Sequence, residues 1–132
     1  MKRIFLFMAV VVLACACQES LEERAARESV AYTKKNCPAT LNKFTRLDSL
    51  TFDIKSKTFT QHLTLLIDSL TPDSVAKMKH QLQEALVEAI RNDTNQKIYK
   101  DAGYSFRFVA RAKEDKTVVL YDNTISKEDY KY

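Results

Sequence analysis

Thr45-Arg46-Leu47-Asp48-Ser49-Leu50-Thr51-Phe52-Asp53-Ile54-Lys55-Ser56-Lys57-Thr58-Phe59-Thr60-Gln61-His62-Leu63-Thr64-Leu65 carries two runs of alternating polarity about a charged turn. Leu50, Phe52 and Ile54 alternate with Thr51 and Asp53, which predicts a strand over Thr45 to Ile54. Lys55-Ser56-Lys57 turns the chain. The return strand, Thr58 to Asp68, places Phe59, Leu63, Leu65 and Ile67 on one side and Thr60, His62 and Thr64 on the other, with Gln61 the single polar interruption of the apolar row. The pair reads as an antiparallel hairpin. A second pair follows downstream: Tyr104, Phe106, Phe108 and Ala110 alternate with Ser105, Arg107, Val109 and Arg111, Lys113 to Lys116 makes the turn, and Thr117 to Asn123 returns with Val119 and Tyr121 on one face.

Between the hairpins, Thr71-Pro72-Asp73 is a strong helix start, because Thr can cap, Pro needs no amide partner in the first turn, and Asp meets the positive end of the helix dipole. Val75, Met78, Leu82, Ala85, Leu86, Ala89 and Ile90 then recur at helical spacing and predict a helix lying on the sheet. Ahead of the first hairpin, Ser20-Leu21-Glu22-Glu23 resembles a capping box and opens a helix that Lys34, Lys35 and Pro38 close. A short helical turn through Ile98 and Tyr99 should end at Gly103, and the tail from Ser126 to Tyr132 reads as frayed or loosely docked. The order is helix, two strands, helix, two strands. It implies an α+β fold with a four-stranded antiparallel sheet, the Val75 to Ile90 helix packed on one face, and Phe52, Leu63, Leu65, Phe106 and Phe108 in the core. Which hairpin edges meet, and whether the first helix covers the sheet or stands off it, is left open by the pattern.

The N-terminus supplies an address. Lys2 and Arg3 precede an uncharged run from Ile4 to Leu13, and small residues Ala14 and Ala16 flank Cys15 and Cys17, the layout of an export signal. The run is shorter than the roughly 20 apolar residues that a membrane-spanning helix needs. Two registers match a lipoprotein signal, Val12-Leu13-Ala14-Cys15 and Ala14-Cys15-Ala16-Cys17, so residues 1–17 are expected to be a signal with lipid on Cys15 or Cys17 and residues 18–132 a single domain. Two or more acyl chains hold a protein durably on a membrane. The expected location is the periplasm-facing side of the envelope, on the outer membrane in preference to the inner. Without Lys2 and Arg3, 19 of the 21 Lys and Arg residues remain against 17 Asp and Glu, a balance of +2 that argues against nucleic acid as a partner. With one glycine and two prolines, the chain has no Gly-rich phosphate loop and no flexible linker.

From Asn36-Cys37-Pro38 through Thr45-Arg46-Leu47-Asp48-Ser49 to Asp101-Ala102-Gly103-Tyr104, the chain resembles a family of small, uncharacterised cell-envelope proteins and lipoproteins of Gram-negative bacteria. The resemblance spans about Ala31 to Asp122 and implies fold and address, with no activity attached. Members often pair a cysteine in the helix with one near the C-terminus. This chain has Asn92 in the helix and ends Asp129-Tyr130-Lys131-Tyr132, so that disulfide is not carried over.

Few residues suggest chemistry. Cys37 is either a thiol or, if Cys15 takes the lipid, a disulfide partner for Cys17 in an oxidising compartment. A nucleophilic Cys37 would need a base such as His62 or His80 within reach. The two histidines have no metal-ligand spacing, so neither a metal nor another cofactor is expected. Arg107 and Arg111 share a strand face, and Arg46 begins another strand; together they could line a surface for an anionic ligand, or coat a solvated sheet. These features favour a non-enzymatic, lipid-anchored binding or interaction module with an envelope protein partner. A structural envelope lipoprotein without a soluble ligand is the alternative, ahead of a thiol enzyme or hydrolase.

Overall fold

The computed structural model describes residues 19–131. The expected signal segment and both lipidation candidates, Cys15 and Cys17, lie outside the described residues. The elements run α1 (Leu21–Asn36), β1 (Ala39–Asn42), β2 (Thr45–Asp53), β3 (Thr58–Leu65), α2 (Pro72–Ala76), α3 (Lys79–Asn92), a 3-10 turn (Thr94–Gln96), α4 (Lys97–Asp101), β4 (Ser105–Ala112), β5 (Val119–Ile125) and α5 (Lys127–Tyr130). The fold is α+β, with one sheet in the order β1-β2-β3-β4-β5.

Both expected hairpins are present, β2 with β3 and β4 with β5. The sheet nevertheless has five strands and is mixed, which corrects the expectation of four antiparallel ones. The hairpins meet through a parallel pairing of β3 with β4, Phe59 opposite Phe106 and Leu63 opposite Ala110. The helical segment from Pro72 to Asp101 is long enough to return the chain to the same end of the sheet, as a parallel connection requires. The fifth strand, β1, pairs Ala39 with Leu47 and Thr40 with Arg46 at the sheet edge. A bulge between Leu47 and Ser49 inserts Asp48 as an extra residue, so that Leu47 and Leu50, which a strict period of two would set on opposite faces, both pair with the apolar row of β3. The strands are shorter than expected at two ends. Ile54 falls in the turn and is 51% exposed, and Ile67 lies beyond β3 and is also exposed.

The helix predicted over Val75 to Ile90 is two helices. Thr71 and Ser74 form a reciprocal cap on α2, but Met78 leaves helical geometry at ψ 7°, and α3 restarts at Lys79. The break turns Met78 out to 54% exposure. It also sends Val75 to a small separate cluster with Ala112 and Leu120, while Leu86, Val87 and Ile90 join the main core. At the other end of the chain, α1 covers the sheet instead of standing off it. Ala25 and Ser29 are buried, and the Thr33 hydroxyl accepts from Leu50 N and donates to Leu50 O, both at 2.9 Å, which satisfies β2 beyond the last pairing of β1.

The core is aromatic. Phe59 packs against Phe52, Tyr99 and Phe106 with ring centroids 4.7, 4.8 and 5.8 Å apart, and Phe106 and Phe108 are buried as expected, with Phe52 and Leu65 only partly so. Tyr99 donates to Glu28 at 2.7 Å and ties α4 to α1; burial, reinforced by that carboxylate, pushes the Tyr99 hydroxyl up to about 12. Gly103 adopts φ +79°, the left-handed conformation expected of it. The C-terminal tail is docked, not frayed: Ser126 and Asp129 cap α5 reciprocally, and Tyr130, 5% exposed, donates its hydroxyl to Tyr104 O at 2.8 Å. An aromatic anchor inside a capped turn outweighs the entropy of a chain end.

Candidate functional site

The two faces of the sheet present different surfaces. On the helix-covered face, α3 lies toward β5 and leaves a groove between itself and strands β2 to β4. Its volume is about 260 Å³. Leu50, Phe59, Phe106 and Phe108 line it from the strands, Leu86, Ala89 and Ile90 from α3, and Gln61, Asp93 and Gln96 supply polar groups. Gln61, the polar interruption seen in the sequence, is thus a groove residue. Asp93 and Gln96 were not singled out in the sequence because they follow a helix end, where such residues are ordinary caps; indeed Asp93 Oδ1 accepts from Asn95 N at 3.0 Å.

The other face has no helix over it among the described residues and carries the three arginines, Arg46, Arg107 and Arg111. Cross-strand register sets Arg46 opposite Thr64, Arg107 opposite Thr60 and Thr124, and Arg111 opposite Thr64. Two of the three are held by carboxylates. Arg46 Nε donates to Asp48 Oδ1 at 2.7 Å, and the buried Thr64 hydroxyl donates to Asp48 Oδ2 at 2.5 Å. Arg107 meets Asp122 through two parallel bonds of 2.8 and 2.6 Å. Burial opposes ionisation of Asp48, but the Thr64 and Arg46 hydrogen bonds outweigh it and hold the carboxyl below its usual range.

His62 sits between these pairs. Arg111 Nη1 approaches its Nδ1 at 3.4 Å, and Thr51 Oγ1 lies 3.1 Å from its Nε2. A guanidinium can only donate, so Nδ1 accepts, and the neutral ring carries its proton on Nε2 and donates it to Thr51. Partial burial, then the Arg111 and Arg107 charges, hold the imidazole below its ordinary value. His80 stands on the exposed surface of α3 beside Glu84.

Cys37 follows α1, half-buried and with no disulfide partner among the described residues, which do not include Cys17. Burial first, and the Asp48 charge second, push its pKa up, the opposite of what a nucleophilic thiolate requires. No hydrogen bond joins it to either histidine among the described residues. Nor does any group of three or more His, Cys, Asp or Glu among them have the spacing to hold a metal ion, and no helix among them is long and apolar enough to cross a membrane.

The sequence model of a family described as a domain of unknown function, DUF8479, matches residues 20–121. No curated protein matches the chain. Among solved structures, the fold is similar to that of a Pseudomonas aeruginosa protein described as secreted, at 9% identity and TM-score 0.65, covering 86% of this chain and 100% of that one. It is also similar to EpsS, the type 2 secretion system pilotin of Vibrio vulnificus, at 12% identity and TM-score 0.62, covering 85% and 93%. A third likeness is to AspS, the type II secretion system pilotin of Vibrio cholerae, at 17% identity and TM-score 0.58, covering 83% and 91%. At these identities the likeness establishes the shared fold.

Proposed function

The chain belongs to the DUF8479 family, and we propose that it is a lipid-anchored, periplasm-facing module that binds an envelope protein partner and catalyses no reaction. The groove between α3 and the sheet carries this reading. At about 260 Å³ it falls below the roughly 300–1,000 Å³ of sites that enclose small molecules or cofactors. An apolar floor with a few polar groups at its rim suits the side chains of an amphipathic helix laid along it. The anchor rests on Cys15 or Cys17, and the envelope setting draws further support from the resemblance carried by Asn36-Cys37-Pro38 and Thr45 to Ser49 and from a fold that pilotins also use.

The non-enzymatic part has its own chemical grounds. The Cys37 thiol is shifted away from reactivity, and no hydrogen bond joins it to His62 or His80 among the described residues, so they do not form the nucleophile and base pair that covalent hydrolysis needs.

Mass spectrometry of the mature N-terminus tests the anchor: a diacyl or triacyl mass on a chain starting at Cys15 or Cys17 supports it, and an unmodified chain starting at or after Gln18 removes it. Purification of the membrane-extracted protein with its bound partner tests the groove. The partner should be retained by the wild type and lost on Leu86→Lys while the variant keeps a cooperative unfolding transition. Retention by Leu86→Lys would place the partner elsewhere.

A further inference from the structure

We propose that Arg111 and His62 form a proton-gated site for small oxyanions, phosphate or sulfate groups, on the uncovered face of the sheet. This site is separate from the groove and does not depend on it. Among the arginines of this face, Arg46 is held by Asp48, and Arg107 by Asp122. The remaining strand carboxylate, Asp53, is engaged by Ser56 through its amide at 3.1 Å and its hydroxyl at 2.6 Å. Arg111 has no carboxylate within ion-pair distance among the described residues, and its one side-chain hydrogen bond there runs to the neutral His62 ring. An arginine fork that is half-buried, positioned and not neutralised is a ready half-site for an oxyanion.

The other half is supplied by a proton. While His62 is neutral, its Nδ1 lone pair occupies Arg111 and the ring offers an anion no charge. Protonation falls on Nδ1, because Nε2 already carries a proton directed at Thr51. A donor then faces a donor across 3.4 Å, two cations stand side by side, and an oxyanion that accepts from both relieves the repulsion. The charges that act on the ring are Arg111 and Arg107 on β4, which disfavour its protonation, and Asp48 on β2, which favours it; around them, Arg46 on β2 and Lys116 in the turn before β5 act on Asp48, and Asp122 on β5 faces Arg107 and Arg111. Asp48 and Asp122 are already committed to other partners, so neither neutralises the new pair. The gate opens on the acid side of the ordinary histidine range, because partial burial and the Arg111 and Arg107 charges hold the ring below its usual value.

Nuclear magnetic resonance titration of the His62 ring, in sulfate and in chloride at equal ionic strength, tests the site; sulfate keeps its charge through this range. A second cation beside Arg111 should tighten sulfate binding about tenfold, which by reciprocity raises the His62 midpoint by about one pH unit at saturation. The rise should vanish in Arg111→Gln and persist in Arg24→Gln, a matched loss of charge on α1, and sulfate affinity should lose its pH dependence in His62→Gln. Sedimentation with phosphatidylglycerol against phosphatidylcholine vesicles, at about pH 5.5 and about pH 7.5, separates the sources of the anion. Acid-dependent capture that Arg111→Gln abolishes assigns a lipid headgroup, and a sulfate response without capture assigns a free oxyanion. An unchanged midpoint together with no capture overturns the proposal, as does an equal rise in Arg111→Gln. If Arg111→Gln does not fold, the wild-type midpoints in the two salts decide alone.

Discussion

The two faces of the sheet are built from the same strands, and adjacent residues of β4 divide between them. Phe106 points into the aromatic core under the helices, while Arg107 points to the opposite side and pairs with Asp122. Burial follows the covering, not the polarity alone. Val109 and Thr64 are as buried as the core residues, although no helix among the described residues lies over them, because the long side chains of this face cover the middle of the sheet. The helix face therefore gains its stability from apolar area and leaves one groove unfilled, whereas the other face gains little from its ion pairs and keeps charge available. A partner that buries surface belongs on the first, and a small charged ligand on the second.

Substitutions at neighbouring positions sharpen this contrast. Phe106→Ala should cost about 3–5 kcal/mol in chemical denaturation, since it empties the middle of the aromatic cluster. Asp48→Ala should cost about 1–2 kcal/mol, because it removes charge-assisted acceptors from the buried Thr64 hydroxyl and from Arg46, at a site about one-third exposed. Ser29→Ala should run in the other direction and stabilise by roughly 1 kcal/mol: the Ser29 hydroxyl is buried in α1 with no hydrogen-bond partner among the described residues. Arg107→Ala, next to Phe106, should change stability by less than about 1 kcal/mol, as expected of a pair with both side chains more than one-third exposed. A cost at Arg107 equal to that at Phe106 would break the contrast between the faces.

Acid should also act on the polar face first. The folded His62 value lies below 6.5, so the unfolded chain binds more protons there, and stability present above pH 6.5 is lost as pH falls through the folded value. Asp48 follows the same sign lower down: its contribution is present above 3.8 and is lost as pH falls through its depressed folded value. Thermal melting against pH should therefore decline in two stages, and His62→Gln should remove the upper one.

Both hairpins and the aromatic core were legible in the sequence because alternation at period two is a local property, visible wherever one face is buried. The shared face of Arg107 and Arg111 followed from the same alternation, but Arg46, which a strict period of two would set with Leu50 and Phe52, joins them only through the bulge at Asp48. What escaped depends on distant partners. The parallel pairing of β3 with β4 is chosen by which edges meet after the helical return, and β1 is only four residues, Ala39 and Leu41 alternating with Thr40 and Asn42 over a run too short to signal a strand, held by pairing with β2. The break at Met78 interrupts a stripe whose spacing continues without interruption through it. Asp48 and Asp122 had to be placed by register before their hold on the arginines could be seen. The groove is defined by what α3 fails to cover, and no single stretch of sequence encodes that.

Photo-crosslinking in intact cells from matched positions on the two faces tests the central claim most directly. A crosslinker at Ala89, exposed on the groove wall, should capture a single protein partner, and Leu86→Lys should abolish the product. The same group at Thr124 on the polar face should capture none. Equal capture from Thr124, or a product at Ala89 that survives Leu86→Lys, would contradict the assignment of the partner to the groove.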